Sequence, residues 1–159
     1  MSSLTLPRFT SANVSVVTGR ILVGGDLDMY DADLAARQII EIAEQGVTHI
    51  VDCRFEADDH DIWDDVPQIN YLHHGMDDAG QRVPGAWFDA GVSFLREALS
   101  DPDAVVLTHC HMGINRGPSL GYALLLDQGW DPVEALDAIR DARPIAYVSY
   151  GDVARRGHP

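Results

Sequence analysis

Two residues six positions apart, Cys110 and Arg116, carry the reactive chemistry of this sequence. A thiol is a nucleophile only as its thiolate, and a guanidinium is a planar, permanently charged fork that fits two phosphate oxygens at once. His111, Met112, Gly113, Ile114 and Asn115 lie between them. Gly113 permits tight curvature, so the backbone N–H groups from His111 to Arg116 can turn inward as an anion-binding nest. A helix starting near Arg116 would aim its positive end at the same spot. At the base of such a cup Cys110 is favoured as thiolate, facing a bound phosphate as a nucleophile in position. The alternative for Cys110 is an inert, buried small hydrophobe.

The cup requires a strand before it and a helix after it, and the flanking residues supply both. Ala104 to Thr108 is a short apolar strand running straight into the Cys110 segment. From about Pro118 to Gln128 the chain is apolar nearly all round, which describes a buried helix stopped by Gly129. Upstream, Val14 to Val17 and Arg20 to Val23 read as short strands around Thr18-Gly19. Asp31 or Asp33 can cap a helix over Leu34 to Gln45, with Gly46 as its stop. Val47 to Cys53 is an apolar strand of the buried parallel kind, and Ile69 to His73 is another. Trp87, Phe88, Gly91, Val92, Phe94, Leu95, Ala98 and Leu99 recur every three or four residues, making Gly85 to Ser100 an amphipathic helix. Asp131-Pro132-Val133-Glu134 is a capping box with Pro at the first helical position, opening a helix to Ala142. Strands alternating with helices imply an α/β domain with a mostly parallel central sheet flanked by helices on both faces. Ligands of such sheets sit at the carboxyl ends of strands, where residues 109–116 fall.

The chain has 159 residues, enough for one domain over 1–159 with a real core. Its formal net charge of −14 argues against nucleic acid or anionic lipid as partner, because no basic field is available to displace counterions. The acidic stretch Glu56, Asp58, Asp59, Asp61, Asp64 and Asp65 reads as a solvated loop. No run of apolar residues is long enough to span a membrane, and Met1 to Phe9 lacks the pattern of a signal peptide. Two cysteines, Cys53 and Cys110, cannot build a disulfide framework, so a reducing cytoplasm is the expected compartment.

His109-Cys110 with Arg116 matches H-C-x5-R, the active-site pattern of the protein tyrosine phosphatase superfamily, and the chain resembles the small dual-specificity phosphatases within it. Ile21-Leu22-Val23-Gly24-Gly25 resembles their opening strand and turn. Gly46-Val47-Thr48-His49-Ile50-Val51 resembles their G-I-T-H strand, and Arg143-Pro144 their R-P pair. The resemblance implies a protein tyrosine phosphatase-like fold and a two-step hydrolysis of a phosphate monoester through a phosphocysteine on Cys110, with no metal or other cofactor. Arg116 and the loop residues His111, Met112, Gly113, Ile114 and Asn115 would hold the phosphate. A general acid is also implied. Tyr71-Leu72 and Trp87-Phe88 fall in the family's register and put that acid on Asp78, with Asp77 as the competing neighbour.

Several further expectations follow from the resemblance. His109 would hydrogen-bond the loop. Gly117 stands where the family usually has Ser or Thr, whose hydroxyl steadies the thiolate, so a slow second step is expected unless Ser119 substitutes. Cys53 would lie near Cys110 as a buried thiol or as a redox partner. His73, His74, His109, Cys110 and His111 fit no standard zinc spacing. Arg54 and Arg82 read as surface charges rather than as substrate-positioning groups. The variable loop positions carry no lysine, which argues against polyphosphorylated inositol lipids. The expected substrate is a phosphoprotein carrying phosphotyrosine, with phosphoserine and phosphothreonine as further candidates. The alternatives are a small phosphorylated metabolite, or a phosphate-binding pseudo-phosphatase with little turnover.

Overall fold

A computed structural model describes residues 9–156; Met1 to Arg8, most of the segment read above for a signal peptide, lie outside the described residues. Short apolar runs become strands and capped amphipathic runs become helices in the order β1 (Val14–Val16), β2 (Ile21–Gly24), α1 (Ala32–Glu44), β3 (His49–Arg54), α2 (His60–Trp63), β4 (Asn70–Met76), α3 (Gly85–Leu99), β5 (Val106–His109), α4 (Arg116–Asp127), α5 (Pro132–Ala142) and α6 (Gly151–Arg156). The sheet order is β1-β2-β5-β3-β4, with β1 antiparallel to β2 and the other neighbours parallel. The strand leading into Cys110 is therefore the central one.

Strand residues alternate between two faces, and each face meets its own helices. Ile21, Val51 and Val106 join a core with residues of α3, α4, α5 and α6, whereas Leu22, Ile50 and Leu107 pack with Ile42 of α1 and Trp63 of α2. Helices thus cover both faces, as expected. Asp31 caps α1 by accepting from the N–H groups of Asp33 and Leu34, and Asp131 caps α5 in the same way toward Val133 and Glu134.

Helix α4 lies buried along almost its whole length, in contact with the sheet and with α3, α5 and α6. It starts at Arg116, two residues before the expected Pro118, because a proline within the first turn forfeits only an N–H that has no intrahelical partner. Glycine lets it sit close to the sheet. A Cβ at Gly121 would stand 2.8 Å from Val23 Cγ1, and one at Gly117 would stand 2.9 Å from His109 Cα. The short helices α2 and α6 are not evident in the sequence; each hangs on one buried residue, Trp63 and Ala154 respectively.

Candidate active site

Strand β5 ends at His109, and the chain turns at Cys110, which is 2% exposed. Adjacent β2 steadies the turn: the Cys110 N–H donates to Gly24 O at 3.2 Å, and the Asp26 N–H donates to His111 O at 2.9 Å. Gly113 adopts φ +68°, the left-handed conformation that curves the loop. Arg143, buried, backs that curve by donating from Nε to Gly113 O at 2.8 Å and from Nη2 to Met112 O at 3.0 Å. Its remaining contacts are Asn13 Oδ1 and Ser15 Oγ. Asn115, at the N-cap of α4, makes no side-chain cap, so the first-turn N–H groups are left for an anion.

The result is a cavity of about 390 Å³ lined by Glu56, Asp77, Asp78 and the loop residues Cys110, His111, Met112, Ile114, Asn115 and Arg116. The sequence-predicted cysteine, arginine, both candidate acids and the loop therefore converge on one place; Gly113 contributes curvature rather than lining. A larger cavity of about 720 Å³ beside Trp130, Asp152 and Arg155 holds no nucleophile.

Arg116 is almost fully buried. Its Nη1 and Nη2 donate to the two Glu56 oxygens at 2.7 and 2.9 Å, and Nη1 also reaches Met76 O at 2.9 Å. Its Nε is buried without a partner among the described residues, an unused donor beside the cavity. Burial works against the guanidinium charge, but Glu56 and Cys110 outweigh it and hold the group protonated. The reciprocal effect on Glu56 is large: the hydrogen bonds from Arg116 push its carboxyl down to about 2.

The two candidate acids differ in their contacts. Asp77 accepts from the N–H of Asp78 at 2.8 Å, a contact local to its own loop. Asp78 accepts from the Tyr150 hydroxyl at 2.8 Å and lies 3.4 Å from Asn115 Nδ2 of the cup.

His109 sits behind the loop with Nδ1 3.3 Å from Cys110 O and Nε2 3.7 Å from Asp52 Oδ1; burial pushes its pKa down, which favours neutral imidazole. Ser119 Oγ is buried with no partner among the described residues, so it does not hydrogen-bond the Cys110 sulfur. No side chain fits at Gly117, as the approach to β5 shows. Cys53 is fully buried on β3, whose residue Asp52 pairs with His109 of β5, so Cys53 and Cys110 follow side by side in that register; both are free thiols. Burial, and then the neighbouring Cys110, raise the Cys53 thiol well above its ordinary range.

Arg54 is not the surface charge expected from sequence. It is 5% exposed and bridges Asp52, Asp26 and Asp59 at 2.6–2.8 Å. Asp26 in turn pairs with His111 of the cup. The acidic stretch is accordingly not all solvated: Asp59 and Glu56 turn inward to the two buried arginines. Arg82 does lie at the surface. Although Asp52, Asp59 and His109 converge closely, the Arg54 guanidinium already bonds both carboxylates and takes the position a cation would need. His73 and His74 turn instead to the carbonyls of Arg54 and Trp87. Arg54, Glu56 and Tyr150 are the site residues that sequence reasoning missed; the signal available for the first two was their position at, and just past, the carboxyl end of β3.

Comparison with known proteins agrees with this geometry. Residues 32–151 match the family described as dual specificity phosphatase, catalytic domain. The chain is 29% identical over 126 residues to the rat dual specificity protein phosphatase 26, covering 75% of this chain and 57% of that protein. It is 31% identical over 121 residues to the human dual specificity protein phosphatase 13B, covering 70% of this chain and 58% of that protein. The chain thus spans less than two thirds of the length of these curated relatives. Similar solved structures include PTPMT1 in complex with PI(5)P, at TM-score 0.73 and 18% identity over 92% of this chain and 94% of that one. Human DUSP28 aligns at TM-score 0.72 and 17% identity over 97% of both chains. At such identities these two establish the shared fold.

Proposed function

From the chain's membership of the dual specificity phosphatase catalytic-domain family, we propose that it hydrolyses phosphate monoesters, with residues 1–159 forming one catalytic domain. The observation that carries this reading is the placement of Cys110 in a cavity that buried Arg116 also lines, with the Arg116 Nε left without a partner among the described residues. The phosphate sits on the backbone N–H groups of His111, Met112, Gly113, Ile114, Asn115 and Arg116, with the Arg116 fork on its equatorial oxygens.

In the first step the Cys110 thiolate attacks phosphorus in line. The S–P bond forms as the P–O bond to the leaving group breaks, and Asp78 gives its proton to the departing oxygen. In the second step Asp78, now a carboxylate, takes a proton from water as the water oxygen displaces the Cys110 sulfur. Asp78 is favoured over Asp77 because its carboxyl is tied to the cup through Asn115 and Tyr150. No hydroxyl assists the departing thiolate, since Gly117 has none and the Ser119 hydroxyl makes no hydrogen bond to Cys110, so phosphocysteine breakdown is the slow step.

The substrate we propose is phosphotyrosine in proteins, with phosphoserine and phosphothreonine as poorer ones. Glu56, Asp77 and Asp78 line the cavity and repel additional phosphates, which disfavours polyphosphorylated lipids and metabolites. No helix among the described residues is long and apolar enough to cross a membrane; the two free thiols, Cys53 and Cys110, suit the reducing cytoplasm proposed as its compartment. A panel of phosphotyrosine, phosphoserine and phosphothreonine peptides, phosphoinositides and sugar phosphates tests the assignment. Phosphotyrosine peptides should show the highest kcat/KM; a metabolite exceeding them would overturn the substrate, and wild type as inert as Cys110→Ser on every member would leave only a phosphate-binding protein.

A further inference from the structure

The segment from Arg143 to Tyr150 does more than follow α5. Arg143 holds the carbonyls of Gly113 and Met112; the N–H groups of Tyr147 and Val148 both donate to Ile114 O, at 2.8 and 3.1 Å; and the Ser149 N–H donates to Asn115 Oδ1 at 3.2 Å. Four successive cup residues are thus held from one strut. The strut is strained: Val148, buried and β-branched, adopts φ +59°. Such a conformation is unfavourable for a β-branched residue and persists only where surrounding contacts enforce it.

The strut ends on Tyr150, whose ring is buried and whose hydroxyl crosses to the loop after β4. It donates to Asp78 Oδ1 at 2.8 Å and accepts from the Gly80 N–H at 3.2 Å. Burial, and then the Asp78 carboxyl, raise the tyrosine pKa, so the hydroxyl stays protonated as a donor. Nothing in the phosphate chemistry itself uses this group.

We propose that Tyr150 is the positioning residue that fixes the Asp78 carboxyl over the phosphate cup, occupying Oδ1 so that Oδ2 is the oxygen that exchanges a proton with the leaving group. This rests on the reading of Asp78 as general acid. Tyr150 neither gains nor loses a proton in the cycle. Its effect is on orientation, and therefore scales with how much protonation the leaving oxygen needs.

The test is kcat/KM, which reports formation of phosphocysteine, across aryl phosphates from the acidic difluoro-umbelliferone to the far less acidic phenol and tyrosine. Wild type, Tyr150→Phe, Asp78→Asn and the double variant are compared. Tyr150→Phe keeps the ring and should lose about tenfold on phenyl phosphate and phosphotyrosine, the worth of one hydrogen bond to the protonated acid, while remaining near wild type on the difluoro-umbelliferyl ester. Asp78→Asn should lose a hundredfold or more on the poor leaving groups, and adding Tyr150→Phe to it should cost nothing further. A Tyr150→Phe loss equal across the series, or no loss at all, would overturn the proposal while leaving Asp78 in place. An Asp78→Asn variant with wild-type leaving-group dependence would instead remove the general-acid reading on which it stands.

Discussion

Restoring a hydroxyl at position 117 by Gly117→Ser is the change that family resemblance recommends and that the structure forbids. A Cβ there would lie 2.9 Å from His109 Cα, 3.0 Å from His109 C and 3.0 Å from Thr108 O. All three are backbone atoms of the central strand, so no rotamer change relieves the contact. The same junction is tied by Thr108 Oγ1 donating to Gly117 O at 2.8 Å, with both residues buried. Helix α4 must therefore lift away from β5, and even a gap of about half an ångström forfeits a quarter or more of each dispersion contact across it. Overpacking of this kind costs about 1–3 kcal/mol. For a domain of this size that lowers Tm by roughly 2–12 °C. Calorimetry of Gly117→Ser beside Gly117→Ala should show the same drop for both, because the Cβ rather than the hydroxyl causes it. Rapid-quench kinetics should show phosphocysteine breaking down no faster than in wild type. A serine variant with unchanged Tm and a faster second step would refute both the close approach and the explanation of slow turnover.

Other perturbations probe the supports of the cup. Glu56 has a carboxyl depressed from 4.5 to about 2 by Arg116, so its contribution to stability is complete above pH 4.5 and fades as pH falls toward 2. Thermal melts of Glu56→Gln should lack that acid-side loss, with a cost at neutral pH of below about 1 kcal/mol because the half-exposed carboxylate is screened; an unchanged acid limb would contradict the pairing. Arg143→Met leaves the buried carbonyl of Gly113 unpaired and takes a partner from that of Met112, and urea denaturation should find about 1–3 kcal/mol lost together with a raised KM for phosphate esters. Arg143→Lys should not restore function, since one ammonium cannot span both carbonyls and Asn13; a loss under about 1 kcal/mol in the Met variant would contradict the role of the strut. The raised thiol of Cys53 predicts that iodoacetate at neutral pH modifies Cys110 and spares Cys53 in the folded protein, as peptide mapping would report.

Much of this architecture was legible because its determinants are local. Strands β2, β3 and β5 are built around short apolar runs, Asp31 and Asp131 are caps written within four residues of the turns they close, and Cys110 to Arg116 is a single uninterrupted loop. What escaped is long-range. Glu56 meets Arg116 across 60 positions and Tyr150 meets Asp78 across 72, so no window of sequence contains either pair. Arg54 looked like a surface charge because its partners Asp26 and Asp59 come from two other loops at the carboxyl edge of the sheet. The acidic stretch looks uniformly solvated in sequence for the same reason: composition does not reveal which carboxylates face the two buried guanidiniums. In sequence Gly117 stands out for the hydroxyl it lacks, whereas the helix–strand approach explains why a side chain is absent.

The central claim is that Cys110 receives the phosphoryl group. Wild type mixed with para-nitrophenyl phosphate, acid-quenched within one turnover and peptide-mapped by mass spectrometry, should carry one phosphoryl group on the peptide containing Cys110. It should do so to near stoichiometry, because breakdown is slower than formation, and Cys110→Ser should carry none while releasing no nitrophenol. Nitrophenol release by wild type with no phosphoryl group on Cys110 at any quench time, or undiminished release by Cys110→Ser, would contradict it.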